Sequence, residues 1–356
     1  MFFHNLLRGT LAIVPTSPAI ASYYSYAYSK LQFLSGYLHV GVSLLIALII
    51  FAILLSILTM IFAYMFGWFE RKAIARMQAR HGPTYLGRFG LLQNMADVIK
   101  LLAKENIMPY NADRYLFPFM LPIVYAIFFL ILFLIPFTPS FFGLGSSVSL
   151  LAVLMLVSLV PLLMFLAGWT SGNKFGAISA QRSILMLLSY EIPLVLVVAA
   201  VAMLSHSYNL LSIVSAQSGM WYAVLMPLGF LIFIVVMLAE LERPPFDLRE
   251  ADNELIAGWL TDVSAPYYAL ALFLDYTRMF VGTLLISVLF LGGWSGPVLP
   301  PFAWIMVKVI VLSFIIMLLR ATTVRMKINR LLKLGWIYLM PLSVLNIFIT
   351  FVLFIK

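Results

Sequence analysis

Apolar residues in this chain run in long, nearly unbroken stretches rather than alternating with polar ones. Runs close to or above the roughly 20 residues needed to cross a bilayer lie at about 40 to 66, 115 to 137, 147 to 169, 183 to 206, 220 to 241, 265 to 292, 302 to 322 and 335 to 355. Because an open sheet edge cannot lie in lipid, the pattern predicts an all-α fold, a polytopic membrane bundle of about eight transmembrane helices. Residues 39–356 read as a single transmembrane domain. The first 38 residues, with tyrosines from Tyr23 to Tyr28 and prolines at Pro15 and Pro18, carry no signal-peptide pattern. They are expected to form an outer-side segment, interfacial or partly re-entrant.

The polar connections set the orientation. The connection 70 to 114 carries Arg71, Lys72, Arg76, Arg80, Arg88, Lys100, Lys104 and Arg114, and 320 to 333 carries Arg320, Arg325, Lys327, Arg330 and Lys333. The segments after the second, fourth and sixth spans carry no basic residue, so the basic loops read as cytoplasmic and both termini as outer. Within the first of these connections, Leu91 to Glu105 places Met95, Ile99 and Leu102 opposite Asp97, Lys100 and Lys104, the pattern of an amphipathic helix at the membrane surface.

Composition narrows the chemistry. Residues are 64% apolar or aromatic and 10% charged, with a net charge of +9 that reports loop bias rather than nucleic-acid binding. With no cysteine and four scattered histidines, the chain offers no thiolate for an iron-sulfur cluster and no ligand spacing for zinc or haem. A metal, if one is involved, belongs to another chain.

Acids in the spans carry the functional signal, since an acid at mid-membrane costs about 2.5 to 3.5 kcal/mol on insertion scales and must face protein or water. Glu191 lies in the fourth span beside Pro193, which leaves the helix one backbone donor short. Asp275 and Arg278, three residues apart in the sixth span, read as a mutually neutralising pair, and Lys308 in the seventh as snorkelling outward. The stretch from Glu240 to Glu254 is acidic on the basic side of the membrane. Asp247 and Glu250 have capping-box spacing after Pro244-Pro245, so a short helix is expected there with Asp247, Glu250 and Glu254 along one side. Carboxylates crowded in this way titrate as a coupled set. From the residues alone, a proton-handling subunit of a redox complex and a secondary transporter both remain open, although no inverted repeat of the transporter kind is visible.

Several long motifs separate these readings. Glu70-Arg71-Lys72-Ala73-Ile74-Ala75-Arg76-Met77-Gln78-Ala79-Arg80-His81-Gly82-Pro83, Phe89-Gly90-Leu91-Leu92-Gln93, Lys100 to Glu105, Ser171-Gly172-Asn173-Lys174, Ser189-Tyr190-Glu191-Ile192-Pro193, Glu240 through Asp247 to Glu254, Arg320-Ala321 and Leu334-Gly335-Trp336 follow in that order. Together they resemble the H-subunit family of NADH-quinone oxidoreductase, respiratory complex I, with its archaeal and chloroplast counterparts. The resemblance implies the membrane part of a quinone tunnel in the cell's energy-coupling membrane, beneath peripheral-arm subunits that hold the iron-sulfur clusters and complete the quinone site. Antiporter-like and other membrane-arm subunits would be further partners, and quinone the substrate.

The resemblance also implies that Glu191, Glu240, Glu250, Asp252, Glu254 and Asp275 join the quinone region to proton channels, with Asp247 in the same coupling set. Glu70, Arg71, Arg76, Gln78, Arg80, Arg88 and Phe246 would contact quinone or grip the peripheral arm. The chain departs from the family pattern at Arg88 (usually Pro), Glu242 (usually Asn), Asp275 (usually Glu), His81 (usually apolar) and Val263 (usually Tyr). These departures fit an archaeal-type complex, in which the electron donor need not be NADH and a reduced deazaflavin or ferredoxin could take its place. The related membrane subunit of a membrane-bound hydrogenase is the nearest alternative, and a stand-alone transporter a more distant one.

Overall fold

The computed structural model describes residues 18–143 and 145–354, with side chains from residue 46 onward except at 47, 252 and 253. The predicted outer segment therefore lies outside the described residues as far as residue 17. From Pro18 the backbone is helical rather than irregular. Helix α1, Pro18–Met77, contributes its residues through Ile53 to one unit and those from Leu54 to a second, which holds everything that follows.

After α1 come α2 (Gln93–Leu102), α3 (Phe117–Leu134), α4 (Ser149–Thr170), α5 (Lys174–Ser205), α6 (Leu210–Ala216), α7 (Tyr222–Leu225), α8 (Pro227–Glu240) and α9 (Asp252–Leu255). They are followed by α10 (Ala265–Phe290), α11 (Pro301–Thr322), α12 (Ile328–Lys333), a π-helical stretch Leu334–Leu339, and α13 (Met340–Phe354). The protein is an all-helical polytopic membrane bundle. Among the described residues, seven helical segments are long and apolar enough to span: Leu48–Met77, α3, α4, α5, α10, α11 and Ile328–Phe354.

The fifth predicted span is not one helix. The chain turns once in α7, breaks at Met226 (φ −133°, ψ 70°), and resumes with Pro227 in the first turn of α8. At 14 residues, α8 is about 21 Å long, short of the roughly 30 Å hydrocarbon core. Just before this broken span, the buried side chain of Gln217 ties α6, the start of α7 and the end of α10 together. Its Nε2 donates to the carbonyls of Ile213 (3.3 Å) and Val288 (3.0 Å), while its Oε1 accepts from the Gly292 and Tyr222 amides.

Helix α10 is the centre of the bundle, with 72% of its most apolar window buried. Phe280 packs against Phe62 of α1 at 4.7 Å and against Phe137 beyond α3 at 6.3 Å, and Phe290 meets Phe233 of α8 at 5.1 Å. In lipid, helices associate through close packing rather than hydrophobic exclusion, and small residues allow it. At the α4–α5 crossing, a Cβ on Gly168 would stand 2.7 Å from the Gly176 carbonyl oxygen, so only glycine lets the two backbones meet there.

Lys308 does not snorkel. Its side chain is nearly buried, and Nζ donates to the carbonyls of Leu291 (2.7 Å), Gly293 (2.8 Å) and Ser295 (2.8 Å), with the rings of Trp221 and Trp304 beside it. The cation thus satisfies carbonyls left over at and just beyond the C-terminus of α10.

Candidate functional site

The site is assembled at the basic end of the bundle, where α1 extends further than expected. The connection predicted to run from residue 70 stays helical through Met77, which puts Glu70 on the wall of the bundle with its side chain buried. Two arginines make this possible: Arg320 of α11 ion-pairs with Glu70, and Arg243 reaches the same oxygen at 3.2 Å. Arg243 also lies over the ring of Tyr276, 5.5 Å from its centroid.

The acidic segment after α8 folds differently from its capping-box pattern. The Pro244-Pro245 pair removes two backbone donors, and the chain continues as turns rather than as a helix. Only Asp252–Leu255 is helical, so Asp247, Glu250 and Glu254 do not share a helix face. The cap is lost because Asp247 is engaged elsewhere: its Oδ2 accepts from Arg325 at 2.9 Å. The segment is strapped to α5 by Ser179, which donates to the Arg249 carbonyl at 2.8 Å, and by Arg182, which donates to the Leu248 carbonyl at 3.1 Å. Met326 donates its amide to the Pro245 carbonyl on the other side.

These constraints enclose a cavity of about 550 Å³. Of the residues singled out from the sequence, Glu70, Arg71, Arg80, Asp247, Glu250 and Asp275 line it, joined by His81, Glu242, Arg243, Tyr276 and Arg320. Burial first, and then the neighbouring Asp275 carboxyl, push Glu250 up to about 7, with Arg249 opposing them. Glu250 can therefore exchange a proton near neutral pH.

Glu240 and Glu191 lie deeper, on α8 and α5. Glu240 is buried within electrostatic reach of Arg278, Tyr190, Glu191 and Glu242. Ser158 of α4 hydrogen-bonds Oε1 of Glu191, whose Oε2 meets no donor among the described residues. The expected Asp275–Arg278 pair is replaced: Arg278 gives Nη1 to Glu242 at 2.8 Å, because the end of α8 brings that carboxylate to the buried guanidinium.

The remaining candidates scatter. Arg76 and Gln78 are exposed away from the cavity, with Gln78 accepting from Arg80 Nε at 2.8 Å. Arg88 is exposed over the ring of Phe89, Phe246 is buried in the core, and Glu254 is half-exposed and paired with Arg182 at 2.6 Å. The side chain of Asp252 lies outside the described residues. The sequence reading missed Arg243, Arg249, Tyr276 and Arg320 as site residues, and passed over Glu242. Glu242, Arg243, Arg249 and Arg320 were present only as positions inside the motifs and Tyr276 not even as that, because pairing across more than 170 residues, as between Arg243 and Glu70, has no local pattern.

A second cavity of about 590 Å³ adjoins the first. It is apolar, with Met60, Ile61, Met65, Met95, Ile99 and Phe273 in its walls, and it shares Arg71, Leu272 and Tyr276 with the charged one. The amphipathic helix forms one side of it. Four bonds hold α2 and the turn before it to α1: Tyr64 hydroxyl to Leu91 carbonyl (2.6 Å), Asn94 Nδ2 to Tyr64 carbonyl (2.9 Å), Trp68 Nε1 to Phe89 carbonyl (3.1 Å), and the Arg71–Asp97 ion pair (2.6 Å). Burial alone would raise Asp97, but hydrogen bonds from Arg71 and Gln93 outweigh it and hold the carboxyl below its ordinary value.

Residues 45–351 match the family model described as NADH dehydrogenase. The H subunit of NADH-quinone oxidoreductase from Dehalococcoides mccartyi is 38% identical over 286 residues, covering 80% of this chain and 81% of that one. The chain belongs to the NADH-quinone oxidoreductase H-subunit family. The H subunit from a Geobacillus species is 39% identical over 287 residues (79% of this chain, 86% of that one), and the one from Carboxydothermus hydrogenoformans 34% over 287 residues (80% and 82%). The family match takes in every acid and arginine of the site, so both cavities lie wholly within the part of the chain that carries the family pattern.

Proposed function

We propose that this member of the H-subunit family forms the membrane end of a quinone tunnel in a proton-translocating oxidoreductase complex, and that its buried carboxylates link quinone reduction to proton movement. The observation that carries the reading is the shared wall of the two cavities. A quinone has an isoprenoid tail that needs an apolar passage and a head that needs hydrogen-bond donors and compensating charge. The apolar cavity between α1, α2 and α10 suits the tail, and the charged cavity beyond Arg71, Leu272 and Tyr276 suits the approach of the head.

Electrons reach the quinone from iron-sulfur clusters in partner peripheral-arm subunits, and this chain supplies none of that chemistry. Reduction by two electrons calls for two protons at the quinone oxygens. An anionic or freshly protonated quinone beside Glu250 and Asp275 changes their protonation, and Glu242, Glu240 and Glu191 carry the change into the bundle. The basic connections then face the cytoplasm, where the peripheral arm docks, and antiporter-like membrane-arm subunits receive the coupling from the far side. The exposed arginines Arg76, Arg80 and Arg88 suit gripping that arm.

The test is Leu272→Trp, which fills the boundary between the cavities. In membranes containing the complex, KM for a long-tailed quinone should rise at least about tenfold, with electron transfer from the donor to an artificial acceptor unchanged. An unaltered KM for the long-tailed substrate would refute the path.

A further inference from the structure

Glu242 lies just past the end of α8, and the structure gives it a specific task. It follows the last turn of α8 with φ 51°, a left-handed backbone that residues with a side chain rarely adopt. Its carboxylate is 7% exposed, and a single oxygen, Oε2, takes both Arg278 of α10 at 2.8 Å and Arg249 of the acidic segment. Those guanidiniums are 2% and 1% exposed. Arg249 is stacked over Trp259 at 4.8 Å and Arg278 lies over Phe128 at 5.9 Å, so neither can swing out to water.

The groups that face this triad come from every element packed on it: Tyr190 of α5, Glu240 of α8, Asp275 of α10, and Arg243 and Glu250 of the acidic segment. Glu242 acts electrostatically on Glu240 of α8 and on the cavity acids Glu250 and Asp275, and it lines the cavity itself, so it is within reach of both groups of acids. Two buried cations without a dedicated counter-ion would turn to whichever of these acids is nearest and hold it ionised.

Resting on the proposed coupling role, we propose that Glu242 is a positioning residue: it fixes Arg249 and Arg278 to each other and so leaves Glu240, Glu250 and Asp275 free to exchange protons. The left-handed turn is tolerated because the two ion pairs hold it.

The experiment is an infrared pH titration of the carboxylic-acid C=O band in the purified complex, which reads protonation whether or not quinone turns over. Glu242→Gln unmasks positive charge, so the buried carboxyls should lose their protons at a pH lower by about one unit. Arg249→Gln removes positive charge and should move the midpoint upward by a similar amount, which keeps the test open if one variant fails to assemble. Glu242→Asp, which keeps the charge, should bring the midpoint back to the parent's. The proposal is overturned if either substituted complex assembles and titrates with the parent, or if Glu242→Asp shifts as far as Glu242→Gln. Unchanged quinone reductase activity and proton translocation in a variant whose band has shifted would count against the coupling reading and leave this one standing.

Discussion

At the scale of single residues, the chain keeps acids in places where water cannot stabilise them and decides their behaviour by what stands next to each. Glu70 has two arginines, Asp247 has one, and Glu250 has a neighbouring acid and sits near neutrality. Because burial raises Glu250, the folded chain holds a proton between the ordinary 4.5 and about 7 that the unfolded chain does not. Its contribution to stability is therefore complete below 4.5 and lost as pH rises through about 7. Glu250→Gln should remove an ionisation near pH 7 from the turnover profile; a profile that keeps that limb would exclude Glu250 as its source. Glu191→Gln, a near-isostere that can still bond Ser158, should cut proton translocation about tenfold or more while the complex assembles normally. Pumping at the parental rate in vesicles would take Glu191 out of the path. The acids were legible because charge is expensive in an apolar run, whereas their partners were not: Glu70 and Arg320 are 250 residues apart.

At the scale of elements, the departures from the sequence reading have local causes. Glu70 and Arg71 look like the start of a loop, but ion pairs neutralise both side chains and α1 continues to Met77. A hydropathy window averages over the break at Met226, so α7 and α8 read as one span. The Asp247 capping signal competes with Arg325 and loses. The amphipathic helix was legible from its periodicity and is present as Gln93–Leu102, shorter at both ends. Its attachment is mostly through hydrogen bonds to backbone, so Arg71 and Asp97, both partly exposed, should show a coupling of only about 0.2 to 1 kcal/mol in a double-mutant cycle. A much larger coupling would mean that the pair, not the backbone bonds, fixes α2. Lys308→Met leaves three carbonyls beyond α10 without their donor and should lower stability by about 2 kcal/mol, seen as earlier thermal inactivation. Unchanged inactivation would show that those carbonyls find other partners.

At the scale of the whole molecule, a membrane bundle that holds neither cysteine nor, among the described residues, a cluster of metal-ligating side chains belongs to a family of oxidoreductase subunits. Family membership favours a subunit of a redox complex over a transporter acting alone. The bundle was readable from its apolar runs, but the adjoining apolar and charged cavities were not, since they arise where α1 and α10 meet α2 on one side and the acidic segment and α11 on the other. The central claim is that a quinone occupies those cavities. Its most direct test is photoaffinity labelling of the complex in native membranes with an azido-quinone, followed by peptide mapping. The account predicts label on peptides containing residues 60–71, 94–99 or 272–276 of this chain, suppressed by excess unlabelled quinone. Label confined to other subunits, or label on these peptides that unlabelled quinone does not suppress, would contradict it.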